Sequence, residues 1–283
     1  MTKETPDSAL AELSAAHRDE LEEAYVLLQN PGLIARVSNT LATPIDAGMD
    51  RLPAAVRDRI LRIAETSLLT ALKTALWTLE DAGPAAPSNR LHKAGSAISG
   101  ALGGAFGLPA LAIELPISTS IMLRSIAEIA RGEGENLADP EVRLTCLEVF
   151  ALGGESDRDD AAETGYFGVR SALARSVSEA ARYAASTSTV RDSAPALVRL
   201  VSQIAGRFSI PVSEKAAAQS VPVIGAAGGA LINVLFMDHF QNAARGHFIV
   251  RRLERRYGEA TLRAAFEQCG SSKRLASVGQ ADQ

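Results

Sequence analysis

Apolar positions recur at helical spacing along almost the whole chain. From residue 8 to 29, Leu10, Leu13, His17, Leu21, Ala24, Tyr25 and Leu28 follow steps of three and four, with Glu12, Asp19, Glu20 and Glu22 between them. That spacing builds one buried stripe on an amphipathic helix. Asn30-Pro31-Gly32 stops it. A short helix is expected over 33–41 and a long one over 53–81. Pro53 suits a first-turn position, where its missing N–H costs nothing. Val56, Ile60, Ile63, Ala64, Leu68, Leu72, Ala75 and Leu79 form the stripe of that helix. Asp139-Pro140-Glu141 is a strong helix start: an oxygen cap, a proline and an acid at the positive end of the dipole. The helix it opens carries Val142, Cys146, Val149 and Phe150. Residues 153–160 are acidic and read as a loop. Helices are expected over 161–185 and 191–208, then a short one bracketed by Pro211 and Pro222. After Gly258, a short helix over 259–268 precedes a polar tail expected to be disordered.

Two segments stand apart. Gly100, Gly103 and Gly104, with Gly107 close by, repeat as Gly225, Gly228 and Gly229, 125 residues later. Each set runs on into stronger apolar residues, then an acid, then basic residues and glycine at Gly132 and Gly258. Small residues let helix backbones approach closely, so both sets are expected at helix-packing positions. They suggest a pseudo-repeat; coincidence in an Ala/Gly-rich chain is the alternative. Pro109 and Pro116 are expected to break or kink the first segment. No span alternates strictly between apolar and polar. The fold class is therefore all-α: a multi-helix single domain with two Gly-rich central helical hairpins. The division reads as an N-terminal amphipathic extension (1–49), a helical domain (50–268) and a tail (269–283).

Residues 95–113 and 216–237 carry no charge, and about 20 apolar residues span a bilayer. The strong apolar residues of the second stretch contribute only about −3 kcal/mol to insertion. Pro222, Gln219 and Asn233 oppose it, and Glu114 borders the first stretch at about +3 kcal/mol if central and charged. Spanning is marginal. A buried core hairpin, or one that meets lipid conditionally, fits better.

Composition narrows the rest. Hydrophobic residues make up 47% of the 283, but aromatics only 5%, so alanine supplies much of the core. A net charge of −4 gives no general pull toward nucleic acid. Cys146 and Cys269 have no metal-type spacing, and a reduced cytoplasmic setting is the simple reading. The first residues lack a secretory layout. Neither a G-x-S-x-G motif nor a phosphate-binding loop occurs, so no metal and no cofactor are expected.

The run Gly103-Gly-Ala-Phe-Gly-Leu-Pro-Ala-Leu-Ala-Ile-Glu-Leu-Pro116, followed by residues 119–128, resembles the EcsC family. So does Pro222-Val-Ile-Gly-Ala-Ala-Gly-Gly-Ala-Leu-Ile-Asn233, followed by residues 238–248. The resemblance covers roughly residues 50–260. It implies a bacterial protein of a kind named after a gene beside an ABC-transporter operon and described as membrane-associated. It implies no established activity, and no catalytic residue is carried over.

Three constellations are chemically suggestive. Glu114 lies between apolar runs, so a buried carboxylate there must be paired or protonated. It reads as a cleft acid, or as a helix cap, or as a partner of Arg124. Asn233, Asp238, His239 and Asn242 gather on one helix, either as a polar site with His239 as base or as an interhelical hydrogen-bond network. Arg245, Arg251, Arg252, Arg255 and Arg256 form the dense basic run. They read as contacts for anionic lipid, or as a solvated face paired with Glu254, Glu259 and other acids. The leading expectation is a non-enzymatic cytoplasmic protein that associates peripherally with an anionic membrane surface or a membrane protein complex, through the Gly-rich helices and the arginine face. Nucleic acid is not an expected partner. The alternative is an enzyme, or a binder of an apolar ligand, with Glu114, Asp238 and His239 lining a cleft. An integral membrane protein is the third.

Overall fold

The computed structural model describes residues 7–29, 36, 53–78, 108–152, 165–186, 194–219 and 225–281. The described residues form α-helices joined by turns, and the fold is all-α. The helices are α1 (Asp7–Glu12), α2 (Ala15–Leu28), α3 (Ala54–Thr78), α4 (Leu108–Gly132), α5 (Pro140–Leu152), α6 (Tyr166–Ser186), α7 (Pro195–Gln219), α8 (Gly225–Tyr257) and α9 (Glu259–Ala281). The chain forms two compact units. One holds residues 31–244; the other holds 1–30 with 245–283.

In the larger unit α5 is enclosed along its whole length. Every residue from Val142 to Ala151 is buried, because α3, α4, α6 and α7 all pack on it. Such a helix carries apolar residues on every side rather than in one stripe, and it also encloses Arg143, Thr145 and Glu148. It begins as its sequence dictates: the Glu141 N–H donates to Asp139 Oδ1 at 2.8 Å, the oxygen cap of a first turn. Rings from three helices close the core. Phe208 of α7 meets Phe150 of α5 edge-on at 5.0 Å and Phe240 of α8 at 5.5 Å, and Phe236 stands against Phe240 at 5.1 Å.

Two of the prolines expected to interrupt the chain lie inside helices: Pro116, expected to break or kink its segment, and Pro211, expected to bound a short helix. Pro116 is within α4 and Pro211 within α7. A proline removes one backbone bond. Burial on both sides holds the chain helical across the gap: Leu115 and Met122 around Pro116, Phe208 and Val212 around Pro211. Helix α7 thus continues to Gln219 as one element, where the sequence predicts two. Similarly, α9 runs through Gly270 to Ala281, past the predicted start of the tail. The expected helix over 33–41 and the set Gly100, Gly103, Gly104 and Gly107 lie outside the described residues. Gly225, Gly228 and Gly229 open α8, with Gly229 buried.

In the smaller unit α2 lies on the end of α8 and on α9. Leu21 and Ala24 are its buried residues. Gly258, at φ +87°, makes the turn between α8 and α9, a left-handed conformation that glycine adopts without strain. Close helix approach by a small residue occurs here at Gly246, outside both glycine sets. A Cβ added there would stand 2.6 Å from Leu28 Cγ and 3.0 Å from the Ala24 carbonyl. We expect Gly246→Ala to destabilise this unit by about 1–2 kcal/mol, overpacking at the contact outweighing alanine's better helix propensity. Faster amide exchange confined to α2 and the end of α8 is the measurement; unchanged exchange there refutes the close approach.

Candidate functional site: a buried ion pair and an exposed apolar stripe

Glu114 and Lys215 meet inside the larger unit. Lys215 is fully buried and Glu114 is 5% exposed. The Lys215 Nζ donates to both carboxylate oxygens, at 2.9 and 2.8 Å. Asn233 Nδ2 donates to Glu114 Oε1 at 3.0 Å. The ammonium also lies 4.7 Å from the centre of the Phe236 ring, a cation–π contact that is strong when water is excluded. Three helices, α4, α7 and α8, therefore converge on one charge pair. Burial pushes the Lys215 ammonium below the ordinary lysine range, opposed by the charge and hydrogen bond of Glu114.

The partner suggested by the sequence was Arg124. That residue stands ten positions further along the same helix, about 15 Å away at 1.5 Å per residue, and it is exposed. Lys215 was missed. With α7 ended early, the motif Ser213-Glu-Lys215 reads as the surface of a short helix. One signal pointed to it: Glu114 and Lys215 are opposite charges bordering the two uncharged stretches.

The predicted polar network divides. Asn233 joins Glu114. Gln241, eight residues on and about 80° around α8, donates to Ser125 Oγ at 2.7 Å. Both bonds advance together along α4 and α8, so these helices run parallel. Asp238 and Asn242 are half-buried, and at 100° per residue they lie about 140° and 180° around α8 from Asn233. His239 is buried, with its ring edge-on to Phe240 at 5.1 Å. Among the described residues, no three His, Cys, Asp or Glu side chains are grouped to hold a metal ion.

An adjoining face of α4 is apolar and open. Ile113 is 73% exposed and Ile117, one turn on, 52%. Ile121 continues the stripe half-buried, and Arg124 ends it in solvent. Among the described residues, Ala110–Gly132 is long and apolar enough to cross a membrane by length and composition, and more than half of it is buried.

The predicted arginine face is partly used by the fold. Arg252 donates to Glu20 Oε2 at 3.0 Å, an acid of α2 within the set expected to pair with this face. The Arg256 guanidinium lies 5.9 Å from the centre of the Tyr257 ring. Arg255 and Arg256 are exposed; Arg245, Arg251 and Arg252 are half-buried.

The sequence model of the EcsC protein family matches residues 29–253. The chain belongs to the EcsC family. The match takes in α3 to α7 and most of α8, and with them both members of the ion pair. It begins where α2 ends, so α1 and α2 lie before the family region. No curated protein and no solved structure matches the chain.

Proposed function

We propose that this EcsC-family chain is a non-enzymatic protein that associates peripherally with anionic membrane. The contact is made by the apolar stripe of α4 and assisted by arginines at the end of α8. The single observation that carries the reading is the exposure of Ile113 and Ile117 on a helix otherwise apolar enough for lipid. Two exposed isoleucines a turn apart are costly to leave in water, and burying each in an acyl boundary is favourable by up to about 1.5–3 kcal/mol. The inner face of the same helix is tied by Glu114 to Lys215. That tie favours shallow contact by the outer face over spanning, which would bring a charged group to mid-bilayer.

Flotation with phosphatidylserine-containing vesicles tests this. The full chain is expected to co-float. Ile113→Glu with Ile117→Glu is expected to lower partitioning at least about tenfold, since two apolar contacts become two repelled carboxylates. Co-flotation of the double variant equal to that of the unaltered chain sinks the apolar contact.

A further inference from the structure

The end of α8 carries five arginines and one acid between positions 245 and 257. Helix α2 lies against it and carries four acids and one arginine. Their contact is specific. Glu20 pairs with Arg252 at 3.0 Å. Ala24 and Leu28 close on Gly246. The hydroxyl of Tyr257, which follows the last arginine, receives the Ser14 N–H at 3.4 Å and shares a hydrogen bond of 2.7 Å with His17 Nδ1. Tyr25 of α2 packs on Phe266 of α9 at 5.0 Å and fills the space a side chain at Gly270 would need. Every turn of α2 therefore has a counterpart on α8 or α9.

Three observations give this contact a meaning beyond packing. The covering helix is acidic and the covered helix basic. The pair Glu20–Arg252 is about one-third exposed on each side, and a pair so placed adds at most about a factor of five to stability, so holding the fold together is a weak reason for it. The family match begins at residue 29, so the cover stands outside the region common to the family while the arginines up to Arg252 lie within it.

We infer that α2 is an intramolecular stand-in for anionic lipid: it occupies the basic end of α8 and competes with headgroups for it. The inference rests on the membrane reading and adds regulation to it. Carboxylates and phosphates are interchangeable partners for guanidinium groups in geometry and charge. An arginine within reach of a negative bilayer surface strengthens binding about fivefold, so each arginine that α2 holds is a fivefold gain withheld.

Two full-length variants test it. Glu20→Gln removes the acid and leaves the apolar contacts. Ala24→Gln puts a bulky neutral side chain where α2 is buried, and limited proteolysis within α2 reports its release. On phosphatidylserine vesicles, Glu20→Gln is expected to raise partitioning about fivefold and Ala24→Gln by twenty-fold or more. Adding Arg252→Gln to Ala24→Gln removes about fivefold of the gain. On phosphatidylcholine vesicles neither variant differs from the unaltered chain. The mask is refuted if proteolysis shows α2 released while partitioning stays at the unaltered level, or if the released form gains affinity for duplex nucleic acid instead of vesicles. Loss of binding on Ile113→Glu with Ile117→Glu, and no gain on releasing α2, leaves the membrane reading standing and removes the mask alone. Absence of binding by every form removes both.

Discussion

Replacing either member of the buried pair singly will cost about 3–5 kcal/mol of stability, and replacing both will cost much less. Glu114→Gln leaves the Lys215 ammonium in a dry site with an uncharged amide oxygen and the Phe236 face in place of a carboxylate. Lys215→Met leaves the carboxylate with a single amide donor from Asn233. An uncompensated buried charge is the expensive species. The double variant Glu114→Leu with Lys215→Met has no charge to bury, and its side chains roughly match the originals in volume. Its remaining defect is the Asn233 amide, which loses its acceptor and costs about 1–3 kcal/mol. Denaturant unfolding of the three proteins checks this. Additive losses in the double variant overturn the view that the groups depend on each other.

The Glu114→Gln variant also carries a pH signature. Burial lowers the Lys215 titration point in the folded chain. Between the folded and unfolded values, the unfolded chain then binds more protons, so stability rises with pH across that window. Without Glu114 the lowering is unopposed, the window opens at lower pH, and Glu114→Gln gains stability steadily toward alkaline pH. A Glu114→Gln stability that stays level toward alkaline pH would mean that Lys215 is not what this variant exposes.

The helical character was legible because Leu21, Ile60 or Val149 sit in repeating stripes, and stripes need only local spacing. The cap at Asp139 was legible for the same reason, its donor lying two residues away. What was not legible depends on residues far apart. Pro211 reads as a stop when taken alone, but Phe208 and Val212 on either side of it are buried, and that burial outweighs one lost backbone bond. Once α7 continues past Pro211, Lys215 comes inside and meets Glu114, 101 positions away in the chain. Asn233 reads either as part of a polar site or as interhelical glue, and its bond to Glu114 is interhelical; Gln241, which bonds Ser125 further along, carries no sequence signal because a single glutamine on a helix is ordinary. The close glycine contact followed the same logic. Small residues do bring helices together, but the position that does so in the smaller unit is Gly246, a lone glycine between Arg245 and His247.

The ring cluster beside the ion pair sets the second large effect. Phe208→Ala is expected to destabilise the larger unit by about 3–5 kcal/mol, since the vacated space is walled by Phe150, Phe236 and Phe240, which cannot all shift to fill it. About 0.5–1.5 kcal/mol of that is the loss of edge-on ring contacts beyond the area buried. The ring is also linked to the charges. Phe208 stands 6.2 Å from Phe236, and Phe236 is the ring that faces the Lys215 ammonium. A cavity at Phe208 lets Phe236 turn away and admits water toward the amine, which lightens the desolvation of Lys215. The losses from Phe208→Ala and Glu114→Gln should therefore sum to more than the loss in the combined variant, by about 0.5–3 kcal/mol. Phe150→Ala, whose ring contacts run to Phe208 and Phe240, should combine with Glu114→Gln almost additively. Equal coupling for the two phenylalanines would show that the aromatic core acts on the pair through general loosening and not through the Phe236 ring.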